Sequence, residues 1–431
     1  MTNENLSKRD LARIWHPCSQ MSEYLFGKLP LIPIKRGEGV WLYDYDGNRY
    51  LDAVSSWWVN LFGHGEPRIA EAIAKQAREL EHCIFAGYTH EQAIRLAERV
   101  TAIAPKGLNR VFFADNGSAA IEVAIKMAFH YFLNRGENRP LAISLTNSYH
   151  GETLGALAAG DSALYKKVYA PLLIQTRSAK SPALFPQDEA LADMRRLLEE
   201  NGGKTCAVII EPLVQCAGDM AMYEPNYLTT LRELCDEFGA ALIADEIAVG
   251  FGRTGTMFAC EQASISPDFM TLSKGLSGGF LPLSLVLTSD EIYETFCLDD
   301  YGEKTFLHSH SYTGNPIACA AANATLDIFD DRDVIGDNKT KASQIADRLS
   351  KIAKNERVAN VRQKSMIAAF DVIGGNRKGR DLTICVTREA LKRGVILRPL
   401  GKTVYIMPPY IIDKAQIDFL FDAIEDTLKA I

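Results

Sequence analysis

Two charged residues close apolar runs in the middle of the chain. "AALIAD" ends on Asp245, and "FMTLS" leads into Lys274 followed by Gly-Leu-Ser-Gly-Gly. Runs of this length without polar alternation read as strands covered on both faces. The two charges stand 29 residues apart, enough for one crossover between parallel strands. Both side chains would then share the crevice at the carboxyl ends of the strands, where such sheets bind ligands. A lysine there can serve as a nucleophilic amine, its pKa lowered by burial. Alone it would read more simply as one of 47 basic residues, solvated like most.

Its company changes that reading. Pyridoxal phosphate asks a protein for a lysine to meet its aldehyde, a carboxylate to keep the pyridine nitrogen protonated, a ring to stack on and a cup for the phosphate. Lys274 and Asp245 answer the first two. "FFADNGSAAIEVAIKMA" passes from a strand into a helix through Asn116-Gly117-Ser118, whose N–H groups and hydroxyl can hold a phosphate. Taken alone, Asn-Gly-Ser is a good turn and helix cap. "NSYHGETLGA" sets Tyr149 and His150 just past another strand. Tyr149 is either the stacking ring or a half-buried aromatic, and His150 receives no role.

The elements around these residues form a pattern. From about residue 105 to 290, "RVFFAD", "LAISLT", "CAVIIEP", "AALIADE", "FMTLS" and "LSLVLTS" alternate with helical stretches, which predicts an α/β domain with a largely parallel sheet. Ahead of it, "RGEGVWLYDYDGNRY" (36–50) alternates around Asp46-Gly47 and predicts a hairpin or meander. Behind it, Ala342, Ile345, Ala346, Leu349, Ile352 and Ala353 recur at helical spacing, and "GVILRPLGKTVYIMPP" predicts a hairpin around Gly401-Lys402.

Composition narrows the class of protein. The chain has 431 residues, 47% apolar, enough for two or more domains at roughly 150 residues each. Its 54 acidic and 47 basic residues give a net charge of −7 without a basic block, which argues against nucleic acid or an anionic membrane as partner. The start, "MTNENLSKRD", lacks the order of a signal peptide, and no apolar run reaches the length of a membrane span. Nine scattered cysteines without a C-x-x-C pair fit reduced cytoplasmic thiols better than disulfides or a metal site.

"NGSAAIEVAIK", "YHGET", "IIEP", "LIADEIAVGFGRTG" (242–255) and "TLSKGLSGG" (271–279), in that order, resemble the fold type I pyridoxal-phosphate enzymes and, more narrowly, the class III aminotransferases. The resemblance covers nearly the whole chain. It implies a large domain over 55–334 with a mostly parallel sheet, and a smaller α+β domain from both chain ends, 1–54 and 335–431. It makes Lys274 and Asp245 the catalytic pair, with Lys274 joined to the cofactor and Asp245 on its ring nitrogen. Gly117 and Ser118 become part of the phosphate cup, and Ile247 covers the ring face opposite Tyr149. It also implies a homodimer with shared sites, in which "HSHSYTGNP" (308–316) lends the partner a hydroxyl from Ser311, with His310 beside it. Arg253 in "GFGRTG" either orients the site or braces its loop.

Members that use 2-oxoglutarate carry a glutamate after the "EP" motif; here "EPLVQCAGDM" has Cys216 in that place. "IWHPCSQM" (14–21), "DAVSSWWVN" (52–60) and "RPLGKTVYIMPPYII" (398–412) resemble instead the members that aminate 8-amino-7-oxononanoate in biotin synthesis with S-adenosylmethionine. That resemblance implies substrate contacts from Cys18, Trp57, Tyr149, Lys274, Ser309 and Arg398. A long alkyl acceptor ending in a carboxylate calls for an apolar wall and an arginine fork. If "SSWWVN" is extended, Trp57 and Trp58 point oppositely, one to substrate and one to core. Arg398 could otherwise be a surface charge. Cys18 stands where those relatives carry tyrosine, which leaves lysine open as an alternative donor; an ω-amino-acid:pyruvate aminotransferase is the alternative reading of the whole.

Overall fold

Six of the seven strands of the main sheet are the six apolar runs. The computed structural model describes residues 1–297, 301–373 and 377–431. Two compact units result, one of Arg68–Ile335 and one of both chain ends, Met1–Pro67 with Gly336–Ile431. In the first unit the strands lie in the order Arg110–Ala114, Ser284–Thr288, Phe269–Leu272, Ala241–Asp245, Thr205–Ile210, Leu141–Leu145, Thr176–Ala179. Ser284–Thr288 pairs antiparallel with both neighbours, and the remaining pairings are parallel. Thr176–Ala179, "TRSA", is a short edge strand with little apolar signal, and the sequence reading passed over it.

The five inner strands are buried on both faces, which is why they read as unbroken apolar runs. Helix Gly117–Asn134 lies across the sheet, packed on Thr205–Ile210, Phe269–Leu272 and Ser284–Thr288. Ile121, Ala124, Ala128, Ile209, Ile243 and Phe269 form the centre of that core. Its start is set by Asn116, whose side-chain carbonyl accepts the Ala119 N–H at 3.0 Å.

In the unit of chain ends, Ile34–Glu38, Trp41–Asp44 and Arg49–Asp52 form the expected antiparallel meander. Asp44 closes its turn by accepting the Asp46 and Asn48 N–H groups at 3.0 and 2.8 Å. Val395–Ile396 adds a parallel fourth strand beside Leu51 and Asp52. Val358–Lys364, Ile367–Val372 and Thr403–Ile406 make a separate antiparallel sheet, flanked in sequence by helices Val334–Ile352, Gly379–Lys392 and Lys414–Ala430.

Three local expectations change. Residues 55–67 group with the chain ends rather than with the large unit, because Ser55 Oγ donates to the Met407 carbonyl at 2.7 Å and the Tyr410 N–H to Leu61 at 2.6 Å. Gly401-Lys402 is a tight turn closed by Leu400 and Thr403, but its arms join different sheets, so no hairpin ladder forms. "SSWW" is not extended: φ is +50°, +46°, +72° and +75° at Ser55, Ser56, Trp57 and Trp58. It is one left-handed helical turn, with Trp58 N–H donating to Val54 and Val59 N–H to Ser55. Among the described residues no helix is long and apolar enough to cross a membrane.

Candidate active site

Four neighbouring parallel strands, Leu141–Leu145, Thr205–Ile210, Ala241–Asp245 and Phe269–Leu272, deliver polar residues at their carboxyl ends. These are Tyr149 and His150, Glu211, Asp245, and Lys274. Ala244 pairs with Ile210 and Asp245 with Thr271, so Glu211, Asp245 and Lys274 leave the sheet at almost one level. Lys274 itself has φ +46°, a left-handed conformation costly for a side chain with a Cβ.

Asp245 is buried, and each carboxylate oxygen has a partner. Oδ2 meets His150 Nδ1 at 2.8 Å; Oδ1 accepts the Ile247 N–H at 3.1 Å and the Thr271 hydroxyl at 3.4 Å. Burial works to lower the His150 pKa, but the hydrogen bond and charge of Asp245, with Glu211 adding to them, hold it above its ordinary value. The two side chains form a buried, hydrogen-bonded imidazole–carboxylate pair. Lys274 is pushed the other way: burial depresses its ammonium, against the opposing pull of Cys216, Asp245 and Glu211. A lysine so placed gives up its proton more readily than one in water.

Glu211 had no role in the sequence reading, although it ends the quoted "IIEP" run just as Asp245 ends its own. Its carboxylate accepts the Tyr149 and Cys216 N–H groups, both at 3.0 Å, and ties two loops of the site together. Burial pushes its carboxyl up to about 7. Cys216 is fully buried beside this cluster, and burial holds its thiol well above the ordinary range. Arg253 is also buried, close enough to pull on the Cys216 thiol.

Gly117 opens its helix against Ile247; a Cβ there would come 3.0 Å from the isoleucine Cδ1. Ser118 Oγ accepts the Glu152 and Thr153 N–H groups at 2.9 and 3.1 Å. This draws "YHGET" onto the helix start so tightly that a Cβ on Gly151, at φ +130°, would lie 2.1 Å from Ser118 Oγ. Tyr149 donates its hydroxyl to Glu152 at 3.1 Å and meets the Tyr165 ring edge-on. Gly117, Ser118, Tyr149, Asp245, Ile247 and Lys274 thus share one unit.

Ser309 and Ser311 are exposed, and His310 is half-buried. Their segment is held at His308 Nδ1, 2.9 Å from Lys126 Nζ, and at Thr313, whose hydroxyl donates to the His310 carbonyl. None of these bonds runs to the Asp245 cluster.

The remaining residues expected from the sequence, Cys18, Trp57 and Arg398, meet in the other unit. The Arg398 guanidinium lies over the Trp57 ring, 4.3 Å from its centroid, and its Nη2 donates to the Cys18 carbonyl at 3.4 Å. Segments separated by up to 380 residues converge there. Trp57 is 39% exposed and Trp58 is 4% exposed. Trp58 donates its indole N–H to the Tyr405 hydroxyl at 3.1 Å and packs edge-on against that ring. The left-handed turn costs about 1–2 kcal/mol per residue, yet it sends two adjacent indoles to opposite surroundings.

A sheet that brings a buried lysine and a buried carboxylate to neighbouring strand ends, beside a glycine-serine helix start, defines a class of enzyme rather than one reaction. The chain belongs to the class-III aminotransferase family, whose model matches residues 26–428. An adenosylmethionine-8-amino-7-oxononanoate aminotransferase of Helicobacter pylori is 46% identical over 421 residues, 96% of this chain and 95% of its own. The crystal structure of an adenosylmethionine-8-amino-7-oxononanoate aminotransferase from Methanocaldococcus jannaschii matches with a TM-score of 0.94 at 38% identity, covering 99% of both chains. An ω-transaminase of Pseudomonas jessenii, solved in complex with PMP, matches with a TM-score of 0.93 at 25% identity, over 98% of this chain and 97% of its own. The fold is the expected α/β fold type I, and the protein is an aminotransferase.

Proposed function

We propose that this aminotransferase transfers an amino group to the ketone of 8-amino-7-oxononanoate, forming 7,8-diaminononanoate for biotin synthesis, with S-adenosylmethionine as donor. The observation that carries the choice of acceptor is the meeting of Arg398, Trp57 and Cys18. A guanidinium on an indole face pairs a carboxylate fork with an apolar plate, the two ends of such an acceptor. The names of the Helicobacter and Methanocaldococcus relatives support both substrates.

The residues at the strand ends fit pyridoxal phosphate, and PMP in the Pseudomonas relative supports it. Lys274 offers a buried amine of lowered basicity, Asp245 a carboxylate for the ring N–H, and Tyr149 and Ile247 surfaces for the two ring faces. Gly117 and Ser118 would hold the phosphate at their helix start. When bound, the cofactor supplies the carbonyl that takes up the amino group and the ring that holds the electron pair left by a departing proton. Lys274 Nζ takes that proton from the donor carbon and, in the second half of the reaction, returns one to the carbon that becomes aminated. Asp245 keeps its charge aimed because His150, the Ile247 N–H and Thr271 hold both oxygens. Arg398 takes the acceptor carboxylate, Trp57 lines its chain, and Tyr149 and Ser309 contact substrate near the cofactor. Ser311 of a second copy, with His310 beside it, completes the phosphate site of a homodimer, and the enzyme works in the cytoplasm.

The test is an assay of enzyme loaded with pyridoxal phosphate. 8-Amino-7-oxononanoate is offered with S-adenosylmethionine or with lysine, and pyruvate with β-alanine. Diaminononanoate should form with S-adenosylmethionine. Turnover of pyruvate with β-alanine and none of 8-amino-7-oxononanoate would overturn the acceptor, and product with lysine alone would reassign the donor.

A further inference from the structure

The left-handed turn of Ser55–Trp58 has a support that the substrate residues do not explain. Asp52 is fully buried at the end of its strand. Its Oδ1 accepts the Val54 N–H at 3.2 Å, and its Oδ2 accepts the Ser56 hydroxyl at 2.7 Å. One carboxylate therefore grips the chain on both sides of Ser55, where it enters the left-handed region. Oδ2 also meets His64 Nε2 at 3.0 Å.

The hydrogen bonds around His64 assign the roles of its two ring nitrogens. Asn60 Oδ1 accepts the Gly63 N–H at 2.7 Å, so Asn60 Nδ2, a donor, is the atom that faces His64 Nδ1 at 3.3 Å. Nδ1 must then accept, which puts the ring proton on Nε2, aimed at Asp52. His64 is itself fixed to the meander. Its N–H donates to the Gly39 carbonyl at 2.7 Å, and its carbonyl accepts the Gly39 N–H at 3.0 Å. Its Cβ lies so close to Gly37 that a Cβ on that glycine would come within 2.5 Å.

Non-glycine residues stay in the left-handed region only where their surroundings over-determine them. Ser55 is held by Met407 and Trp58 by Tyr405. Ser56, between them, hangs on Asp52, and Trp57 follows Ser56. We propose that Asp52 and His64 are positioning residues: the Asn60–His64–Asp52–Ser56 chain of hydrogen bonds clamps the left-handed turn and so keeps the Trp57 ring beneath the Arg398 guanidinium. The clamp stands on unit geometry alone; its effect on the acceptor rests on the reading of Trp57 and Arg398 given above.

The experiment uses the full-length enzyme and two readouts. The first is acrylamide quenching of Trp57 fluorescence, obtained as the difference between each protein and the same protein carrying Trp57→Phe. His64→Ala and Ser56→Ala should raise that quenching toward the value of a free indole. His64→Gln, whose amide can donate to Asp52 and accept from Asn60, should restore it. Unchanged quenching in both alanine variants would overturn the clamp, and Ser56→Ala and His64→Gln keep the test open if His64→Ala does not fold. The second readout is KM for 8-amino-7-oxononanoate, which His64→Ala should raise about 10- to 100-fold, as a displaced positioning group does, with the half-reaction of the donor alone unchanged. In the Trp57→Ala background the same substitution should add nothing further, since it acts through that ring; an independent, additive increase would also overturn the proposal. If Trp57→Ala itself leaves that KM untouched, the acceptor reading fails while quenching still decides the clamp.

Discussion

Glu211, Asp245 and Lys274 leave the ends of three neighbouring strands whose hydrogen bonds set their level, and Tyr149 follows a fourth strand in a loop held by Glu211. Cys18, Trp57 and Arg398 come instead from three distant segments and meet through a stacked guanidinium, a loop carbonyl and a left-handed turn. The first group stands on a frame of strand pairing, to which Glu211 adds its grip on the Tyr149 loop. The second has no such frame, and its geometry is a product of packing. Chemistry and recognition are therefore expected to fail differently.

The largest effect falls on the first group. Lys274→Ala should lower turnover by about 10⁴-fold or more, with thermal stability unchanged or raised, because burying an amine is costly. A variant that kept a tenth of the parent rate in steady-state assay would remove Lys274 from the chemistry.

The adjacent tryptophans give the next contrast. Trp58→Ala empties a buried, hydrogen-bonded site and should cost about 3–5 kcal/mol in urea unfolding. Trp57→Ala should cost under about 1 kcal/mol and show its effect in KM for the acceptor. Equal losses of stability would erase the distinction between the two rings.

Glu211 tests the strand-end cluster through pH. Its native carboxyl keeps its proton up to about 7, whereas its ordinary value is 4.5. Between those values the native state binds more protons than the unfolded chain, so this group makes stability fall as pH rises through the window. The shift corresponds to about 3 kcal/mol at most. Unfolding free energies at pH 5 and pH 8 should show Glu211→Gln losing that part of the slope, while Glu246, also raised to about 7 by burial, retains its own.

Smallest is Arg398→Ala. Losing the proposed charged hydrogen bond to the acceptor carboxylate would be worth about 1.5–3 kcal/mol, read as a rise in KM for 8-amino-7-oxononanoate with kcat little changed. An unaltered KM would return Arg398 to the surface charge it also resembled.

The two groups differed in how visible they were beforehand. Strands buried on both faces write themselves as apolar runs, so Asp245 and Lys274 could be placed at strand ends from the sequence alone. Glu211 sits at the same kind of position, after "CAVII", and a consistent reading of strand ends would have found it. The His150–Asp245 hydrogen bond spans 95 residues and leaves no local trace. Nor does the left-handed turn: it contains no glycine, the usual sign of positive φ, and its stability comes from Asp52, Met407 and Tyr405. Cys18 and Arg398 were paired with Trp57 only through resemblance to a family, since nothing in their spacing joins them.

The strand Val395–Ile396, which pairs with Leu51 and Asp52, has a consequence for how the protein is made. During translation the segments of Arg68–Ile335 leave the ribosome as one continuous stretch, and every strand of that unit's sheet is available once Thr288 has emerged. Asp52 and Trp57, synthesised first, must wait for a partner strand and an arginine that appear more than 330 residues later. The contact between Trp57 and Arg398 is thus among the last to be assembled, and a nascent chain stalled before residue 395 would hold Lys274 on its finished sheet without the strand that pairs beside Asp52.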